Sequence, residues 1–540
     1  MTAVSSSPAP ASLEAPPLLP RISDYCAWMA ARTPQAEAMV LDGRRWTYAE
    51  LDAAVDRLAR ALIAAGVVKG DRVATLQTPH PDYLIAFLAA ASIGAIWIGL
   101  NPRYQLEELA YVLEDSAPKV LLARTRIGPR DYAETLAALR ARQPALELVA
   151  AFAGEPSAPG VTAWEAFIAL ADDRPPEALA EARRGCGGRD PCLIVYTSGS
   201  TGRPKGALLH HHGLAAFSLA QNQVWPVRPL RAVNYFPINH VGCVVDLSLP
   251  ALLAGGTILF LEQFEPRECL ALMAEERATM WGSVPSCFLM QLDLPDFDRF
   301  DLSSVQLILW EGAAMPRETI ERLVAVHPRL ATNYGMTETT SGITVLEPTA
   351  EIELLSASVG APFPGVEVRL VDGEGRDVAD GETGEVWARS AYNMLGYWNR
   401  PEATAEALDA DGWFRTGDLA VRRPDGRYRI VGRLKEMFKS GGYNVYPREI
   451  EAVLEAHPSV VEVAVVSAED PVWQEVGVAF VVADPPVAAG ELEAWCRERL
   501  ANYKLPKRFV FEAALPLLPI GKIDKTALKR RAAAGAEALA

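Results

Sequence analysis

Residues 196–206 read Tyr-Thr-Ser-Gly-Ser-Thr-Gly-Arg-Pro-Lys-Gly. They directly follow the apolar run Cys192–Tyr196, which is typical of a buried strand. Glycines let backbone N–H groups approach an anion, hydroxyls add donors and a cation offsets charge, so the segment predicts a polyphosphate-binding loop. It is not a Walker P-loop, because Lys205 lies between Pro204 and Gly206 instead of between glycine and a hydroxyl residue. The plainer alternative is a flexible surface loop.

Outward from this loop, strand-like and helix-like runs alternate from about residue 45 to 345. This alternation predicts an α/β fold with parallel sheets covered by helices. Shorter, turn-rich runs between Val366 and Arg433 predict a small β-subdomain. The clearest strand-like runs of the alternating part are Arg72–Leu76, Thr257–Phe260 and Val305–Trp310.

The pattern changes after Gly432. Two helix-like and two strand-like runs predict a small α+β domain. We therefore divide the chain into a disordered tail rich in Ala, Pro and Ser (1–20), a large domain (21–432) and a small carboxyl-terminal domain (433–540). The runs of the small domain are 447–457 and 491–500 for the helices and 460–466 and 476–482 for the strands.

Bulk composition narrows the functional classes. The 540 residues carry a formal net charge of -16, which disfavours a nucleic-acid partner. The seven cysteines are odd in number and irregularly spaced, so we expect neither a disulfide framework nor a zinc site, and we expect a cytoplasmic protein. The run His210-His211-His212 is interpreted as structural, because consecutive residues cannot all face one metal.

An uncharged stretch of 18 residues, Tyr83–Leu100, is long enough for a membrane helix. Gly94 divides it, and the apolar run before Asn101-Pro102 is typical of a strand that ends in a turn. We therefore predict a buried helix followed by a core strand, and no integral membrane segment. The oligomeric state stays open between monomer and homodimer.

Further motifs follow the loop in a fixed order. Together with residues 196–206 they resemble the adenylate-forming (AMP-dependent) synthetase superfamily, which includes acyl-CoA and aryl-CoA synthetases, over roughly residues 20–530. The resemblance implies ATP, Mg²⁺ and coenzyme A as cofactor and co-substrates, and a small carboxylic acid as partner. The motifs are Glu311–Pro316, Asn333–Glu338, Trp413–Asp418 and Pro519–Lys525.

The resemblance also implies how ATP is bound. Tyr334 would stack on adenine, Thr337 would contact the α-phosphate and Glu338 would hold Mg²⁺, a hard cation that prefers carboxylate oxygens. Asp418 would accept hydrogen bonds from the ribose hydroxyls, and Arg433 would add a donor. The nucleotide set is completed by Thr197, Ser198, Gly199, Ser200, Thr201, Gly202, Lys205, Gly312, Ala313, Ala314, Asn333 and Gly335.

Lys522 matches the catalytic lysine of the family. Two unit anions ~4 Å apart repel by roughly 4 kcal/mol at an effective dielectric of ~20, and a lysine that bridges carboxylate and phosphate offsets this. Lys435 matches the hinge about which the small domain turns. After that turn, Lys439, Gly441 and Gly442 would line the pantetheine path. The plainer alternative for Lys522 is a solvated lysine in a basic tail.

The acyl pocket and its gate are also assigned by resemblance. His240 takes the place of the gate residue, with a satisfied core histidine as the alternative, and Val241 replaces the aspartate of amino-acid-activating members. A small, mostly apolar lining indicates a hydrophobic short-to-medium, alicyclic or aryl acid. Glu311 is unusual there: it binds a hydroxyl or amine of the acid, or it only caps backbone N–H groups. The pocket set is Asn239, Val241, Gly242, Cys243, Val245, Leu309, Glu311, Asn333, Ser341 and Gly342.

The expected function is therefore an ATP-dependent acid–CoA ligase that forms acyl-AMP and pyrophosphate, then acyl-CoA and AMP. One alternative is an adenylation enzyme that loads a separate carrier protein, since about 15 residues after Lys525 leave no room for a carrier domain. Another is a non-catalytic nucleotide sensor, which the intact Lys522 and Glu338 disfavour. A luciferase-like oxygenase uses the same motifs and is the rarer alternative.

Overall fold

The structure is a computed structural model that describes residues 16–156, 158–197, 203–440, 443–517 and 523–537. The centre of the predicted phosphate loop, residues 198–202, and the catalytic-lysine position are not among these residues. The carbonyls of Pro17 and Pro20 accept hydrogen bonds from the Tyr25 hydroxyl and the Gly188 N–H. Packed structure therefore begins before Arg21, the residue at which the sequence places the start of the large domain. The predicted site residues outside the described ranges are Ser198, Gly199, Ser200, Thr201, Gly202, Gly441, Gly442 and Lys522.

The large domain contains a sheet whose nine described strands have a parallel centre and antiparallel edges. Its six central strands, from Leu330–Tyr334 to Glu37–Leu41, are parallel, as the alternating pattern predicted. In spatial order the strands are Ala361–Pro362, Thr344–Thr349, Leu330–Tyr334, Leu307–Trp310, Met280–Ser283, Arg231–Asn234, Thr257–Phe260, Glu37–Leu41 and Arg44–Thr47.

A second sheet of seven described strands carries the start of the phosphate loop. Five of its strands are parallel, and the hairpin of Pro191–Thr197 and Lys205–His210 turns the sheet antiparallel at one side. In spatial order the strands are Gly396–Tyr397, Lys205–His210, Pro191–Thr197, Ile96–Leu100, Arg72–Leu76, Val120–Ala123 and Leu148–Ala151.

The uncharged stretch forms the helix Pro81–Ser92 and the strand Ile96–Leu100, as predicted. The ring of Tyr83 contacts Trp97 of the second sheet at 6.0 Å and Phe260 of the first at 5.8 Å between centroids. A helix enclosed between two sheets is apolar on all its faces, which explains the missing charges. Across the described residues we find no helix long and apolar enough to span a bilayer.

Helices cover both sheets. In the described part of the large domain they are Asp24–Arg32, Tyr48–Ala64, Pro81–Ser92, Leu106–Ser116, Ala133–Arg142, Trp164–Ala169, Pro176–Arg184, His211–Val224, Leu249–Leu253, Pro266–Glu275, Pro285–Leu292, Arg317–Val326, Ile352–Ala357 and Pro401–Ala407. His210 caps one of them by accepting a hydrogen bond from the Gly213 N–H at 3.0 Å, which gives this histidine a structural role. All seven cysteines are free and buried.

The predicted β-subdomain is an antiparallel sheet of the strands Val366–Val371, Thr383–Ser390, Phe414–Arg422 and Tyr428–Arg433. The last two are joined by a turn at Asp425-Gly426, where Gly426 has φ +80°. Its final strand leads into the small domain. On the last two strands, Asp418 and Arg433 lie directly opposite each other.

The small domain is an α+β unit in which helices pack on one mixed sheet. The two predicted strands are longer than expected, because they continue as a hairpin until Asp470 pairs with Gln474. Its described strands are Tyr443–Val445, Phe438–Ser440, Gln474–Ala483, Val460–Asp470 and Arg508–Phe511, and its helices are Pro447–Glu455, Ala489–Arg497 and Lys525–Glu537.

Candidate active site

The strands Pro191–Thr197 and Lys205–His210 flank the predicted phosphate loop and pair with each other. Thr197 and Lys205 are directly opposite each other in this pair. The Thr197 hydroxyl donates to Glu338 Oε1 at 3.5 Å, and the Lys205 ammonium lies 5.1 Å from the centre of the Tyr397 ring. The base of the loop therefore meets the Thr337-Glu338 motif, as two parts of one phosphate site should.

Tyr397 is a residue of this site that sequence reasoning missed. Its hydroxyl donates to Glu338 Oε1 at 2.8 Å, and burial together with the Glu338 charge raises the pKa of Tyr397. It lies on the two-residue strand Gly396–Tyr397, next to Ala207. A single tyrosine more than fifty residues from Glu338 carries no local signal, so only the sheet pairing identifies it.

The turn that carries Glu338 is strained. Thr340 and Ser341 adopt positive φ angles of 52° and 81°, which cost roughly 1–3 kcal/mol each for residues other than glycine. The Thr340 hydroxyl donates to the Tyr392 carbonyl at 2.5 Å, and the Ser341 N–H donates to the Met336 carbonyl at 3.0 Å. These bonds hold the turn in a conformation that leaves Thr337 and Glu338 buried and fixed.

Glu338 fits a Mg²⁺ ligand. One carboxylate oxygen accepts the Thr197 and Tyr397 hydroxyls, and a carboxylate has four lone-pair sites in total. Mg²⁺ usually takes one or two carboxylates plus substrate phosphates, not a cage of protein ligands. The described residues hold no group of three or more potential metal-binding side chains. Glu338 would hold the ion, which neutralises phosphate charge when bound.

The predicted adenosine residues cluster around Asp418. This carboxylate is 4% exposed, accepts the Tyr334 hydroxyl at 2.9 Å and pairs with Arg433 Nε at 2.9 Å. The Asp418 charge raises the pKa of the Arg433 guanidinium, which is half-exposed. An ionised carboxylate is a hydrogen-bond acceptor only, which suits the donor hydroxyls of a ribose.

The small residues predicted to face adenine follow the strand Leu307–Trp310, which is parallel to Leu330–Tyr334, so both strands end at the same edge. Ala313 and Ala314 are exposed, which leaves room for a flat ring. Gly312 has φ +83°, a left-handed conformation that favours glycine. Gly335 is required for a different reason, because a side chain there would overlap the Ser341 carbonyl.

At the predicted hinge, the Lys435 side chain is exposed to solvent. Partial desolvation by neighbouring atoms and the charge of Arg433 nevertheless lower its pKa. Lys439 is exposed and lies beside an open pocket of about 300 Å³ on the small domain. In that pocket the rings of Tyr443 and Tyr503 are stacked 4.5 Å apart. The pocket is lined by Ser440, Tyr443, Trp473, Asn502, Tyr503 and Lys507.

The predicted acyl pocket is built around a π-helical segment, Gly242–Ser248, that continues into the helix Leu249–Leu253. Proline at 250 has no N–H to offer the Asp246 carbonyl four residues earlier, which favours the wider turn. The Gln221 side-chain amide donates to that carbonyl instead, at 3.0 Å. Gly242, Cys243 and Val245 of the predicted pocket lie on this segment.

The remaining pocket residues come from neighbouring elements. Val241 and Leu309 are buried, and Gly342 packs against the rings of Phe217 and Phe363. His240 is half-buried, and its Nδ1 accepts the Gly242 N–H at 3.1 Å, so it stands at the amino-terminal end of the π-helical segment. Asn239 donates to the Tyr104 hydroxyl at 3.3 Å.

Asp246 joins this pocket, and sequence reasoning missed it. Its carboxyl lies close enough to Ser341 and Glu311 for both to shift its pKa, and Asn333 acts likewise on the pKa of Glu311. Burial raises the pKa of both carboxyls, and the Asp246 charge raises the pKa of Glu311 further. No backbone N–H among the described residues donates a hydrogen bond to the Glu311 carboxyl. The available signal was one acidic residue in the apolar run Gly242–Leu249.

Comparisons with known proteins identify the family of the chain. The family model described as AMP-binding enzyme matches residues 26–398, and the one described as AMP-binding enzyme C-terminal domain matches residues 449–522. The chain is 40% identical to a feruloyl-CoA synthase of Amycolatopsis sp over 93% of this chain and 97% of that protein. It is 35% identical to the long-chain-fatty-acid–CoA ligase FadD13 of Mycobacterium tuberculosis over 93% and 98%.

A solved structure, the amide bond synthetase McbA from Marinactinospora thermotolerans, superposes with a TM-score of 0.83 at 30% identity, over 94% of this chain and 99% of that one. The chain belongs to the AMP-binding enzyme family. These comparisons confirm the resemblance and the α/β fold class expected from the sequence. They also confirm the enzyme class, an adenylate-forming enzyme related to acyl-CoA synthetases.

Proposed function

We propose that this chain is an ATP-dependent carboxylic acid–CoA ligase that forms acyl-AMP and pyrophosphate, then acyl-CoA and AMP. The observation that supports it most is the contact of Glu338 with Thr197 and Tyr397, which joins the phosphate hairpin to the motif that would hold Mg²⁺. Relatives named as CoA synthase and CoA ligase support coenzyme A as acceptor.

In the first step, Lys205 and the phosphate loop bind the polyphosphate while Asp418 and Tyr334 orient the nucleoside. Lys522 then stabilises the charge that builds as the substrate carboxylate attacks the α-phosphate and pyrophosphate leaves. In the second step the small domain turns about Lys435, and the segment from Lys439 to Gly442 guides the thiol to the acyl carbonyl. The thiol displaces AMP, which closes the cycle.

The acid that we propose is hydrophobic and of short-to-medium, alicyclic or aryl type. Cys243, Val245 and Leu309 offer an apolar lining. Asn333 narrows the end of the pocket, which disfavours a long straight chain. A relative named for a feruloyl group favours the aryl type among these.

Two reciprocal variants test the two steps. We expect Lys522→Ala to lower acid-dependent pyrophosphate release by about 10²–10³-fold, as for loss of a key transition-state donor, and to spare thioester formation from supplied acyl-AMP. We expect Gly441→Leu to do the reverse, because a side chain would block pantetheine. The exposed Lys529→Ala is the matched control and should leave both steps unchanged.

The measurement is a panel of acids assayed for pyrophosphate release with and without CoA. Equal loss of both steps in folded Lys522→Ala would contradict the two-conformation scheme. An amine acceptor is the second candidate, because the amide bond synthetase has a similar structure. Turnover with amines that exceeds turnover with CoA would favour it over the ligase.

A further inference from the structure

Asp246 and Glu311 form a carboxyl pair inside the predicted acyl pocket. Asp246 is 5% exposed, and each group interacts with the other and with one polar pocket residue, Ser341 for Asp246 and Asn333 for Glu311. Four separate segments of the chain thus meet at this pair. All four carry residues that were assigned to the pocket from the sequence.

The pair has no cationic partner among the described residues. Neither Asp246 nor Glu311 takes part in an ion pair there, and no lysine or arginine is among the charges that act on the two groups. A buried charge is normally paired, because desolvation costs far more than an exposed ion pair gains. A proton shared between the carboxyls removes one charge and leaves the other. The fold itself therefore gives no reason to retain both acids.

Unused hydrogen-bonding capacity points to a ligand. Asp246 Oδ1 and Glu311 Oε1 are buried and have no hydrogen-bond partner among the described residues, and the same holds for Asn239 Oδ1, another residue of the predicted pocket. The Asn239 oxygen is an acceptor, and the carboxyl pair keeps acceptor oxygens whichever of the two acids carries a proton. A buried acceptor without a hydrogen-bond donor costs free energy. A ligand that places a donor among these atoms therefore forms hydrogen bonds that the protein alone does not make.

We propose that the Asp246–Glu311 pair recognises a hydrogen-bond donor, a hydroxyl or an amine, on the acyl part of the substrate. This inference rests on the proposed function and narrows it from a plain hydrophobic acid to one that carries a polar group away from its carboxylate. A site built to bond such a group discriminates strongly against an analogue that lacks it, since its own polar atoms are then left unpaired.

The test uses matched acids on a straight-chain, an alicyclic and an aryl scaffold, each with a hydroxyl, an ammonium, a methoxy or a methyl substituent at one position. We measure kcat/KM for pyrophosphate release with the full-length wild-type protein, Asp246→Asn, Glu311→Gln and the double variant. Thermal midpoints and KM for ATP are measured alongside, so that a folding defect or a disturbed adenine loop is recognised.

We expect the wild-type protein to prefer the donor-bearing acid over its methyl analogue by roughly 10- to 100-fold on the scaffold it accepts. The double variant should lose most of this preference and keep KM for ATP. Comparison of the hydroxyl and ammonium acids shows which donor is bound. Only the preference for the ammonium acid should depend on the negative charge that remains on the pair.

Equal kcat/KM for the donor and methyl acids would overturn the inference and leave the ligase standing. A preference that survives in the folded double variant would also overturn it. If the wild-type protein released pyrophosphate with none of the acids, the proposed function would fail together with the inference.

Discussion

Asp246 in the large domain and Glu451 in the small domain are buried to almost the same degree, at 5% and 4% exposure, but their surroundings are opposite. Glu451 Oε1 accepts Lys525 Nζ at 2.8 Å and the Val465 N–H at 2.8 Å. Asp246 faces another acid, and one of its oxygens has no partner among the described residues. A buried charge that is paired stabilises the fold. A buried charge without a partner destabilises it, and this difference is the basis for our proposal that a ligand binds beside Asp246.

The largest effect on stability should come from the paired site. Glu451→Gln removes the charge without changing shape, and Lys525 then keeps only Glu436, at 2.9 Å. Breaking a fully buried pair costs about 3–5 kcal/mol, so we expect about 2–3 kcal/mol here because Lys525 is partly exposed. Hydrogen exchange of the strand Val460–Asp470, which should speed up, is the measurement. Unaltered exchange would show that the pair contributes little.

The matched change at the unpaired site should have the opposite sign. Asp246→Asn removes a buried charge that lacks a cation, and the new amide can donate to Glu311. We expect the thermal midpoint without substrate to rise, corresponding to about 1 kcal/mol. A fall as large as that of Glu451→Gln would mean that Asp246 is structural, and the contrast between the two sites would disappear.

The smallest expected effect is a pH dependence of that gain. Burial raises the pKa of Asp246 to about 6, so the folded state binds a proton more tightly than the unfolded chain. The contribution of Asp246 to stability is therefore greatest at low pH and is lost as the pH rises through about 6. We expect the advantage of Asp246→Asn to be full at pH 8 and nearly absent at pH 5.

Thermal midpoints of both proteins between pH 5 and 8 provide this measurement. His210 and His211 also titrate, since burial lowers the pKa of each to about 4, but they affect both proteins equally and cancel in the difference. A constant difference across the range would show that Asp246 does not change its protonation there.

Much of the fold was predictable because it follows from local patterns. The strands Arg72–Leu76 and Thr257–Phe260 have the bounds that their apolar runs indicated. The stretch Tyr83–Leu100 could be divided correctly because glycine and proline mark its turns. Strand ends that depend on pairing, such as Asp470, were placed too early, since the partner strand decides where a hairpin stops.

The site was predictable where a motif is contiguous and not where residues meet through the fold. Thr197 and Glu338 were assigned to one phosphate site, and the structure brings them into contact. Tyr397 and Asp246 were missed, because neither has a neighbour in sequence that reveals its partner. The roles of Lys522, Gly441 and Gly442 stay predictions.

The π-helical segment Gly242–Ser248 has a consequence for how this pocket can change over time. An α-helix turns by about 100° per residue, so deleting one residue ahead of Asp246 would restore the tighter spiral and rotate that side chain out of its position. A single codon lost or gained there could thus remove the acidic side chain from the pocket while Leu309, Asn333 and Ser341, which lie on other elements, stayed the same. Chain length in this one stretch, more than any substitution, would then separate homologues that take polar acids from those that take plain ones.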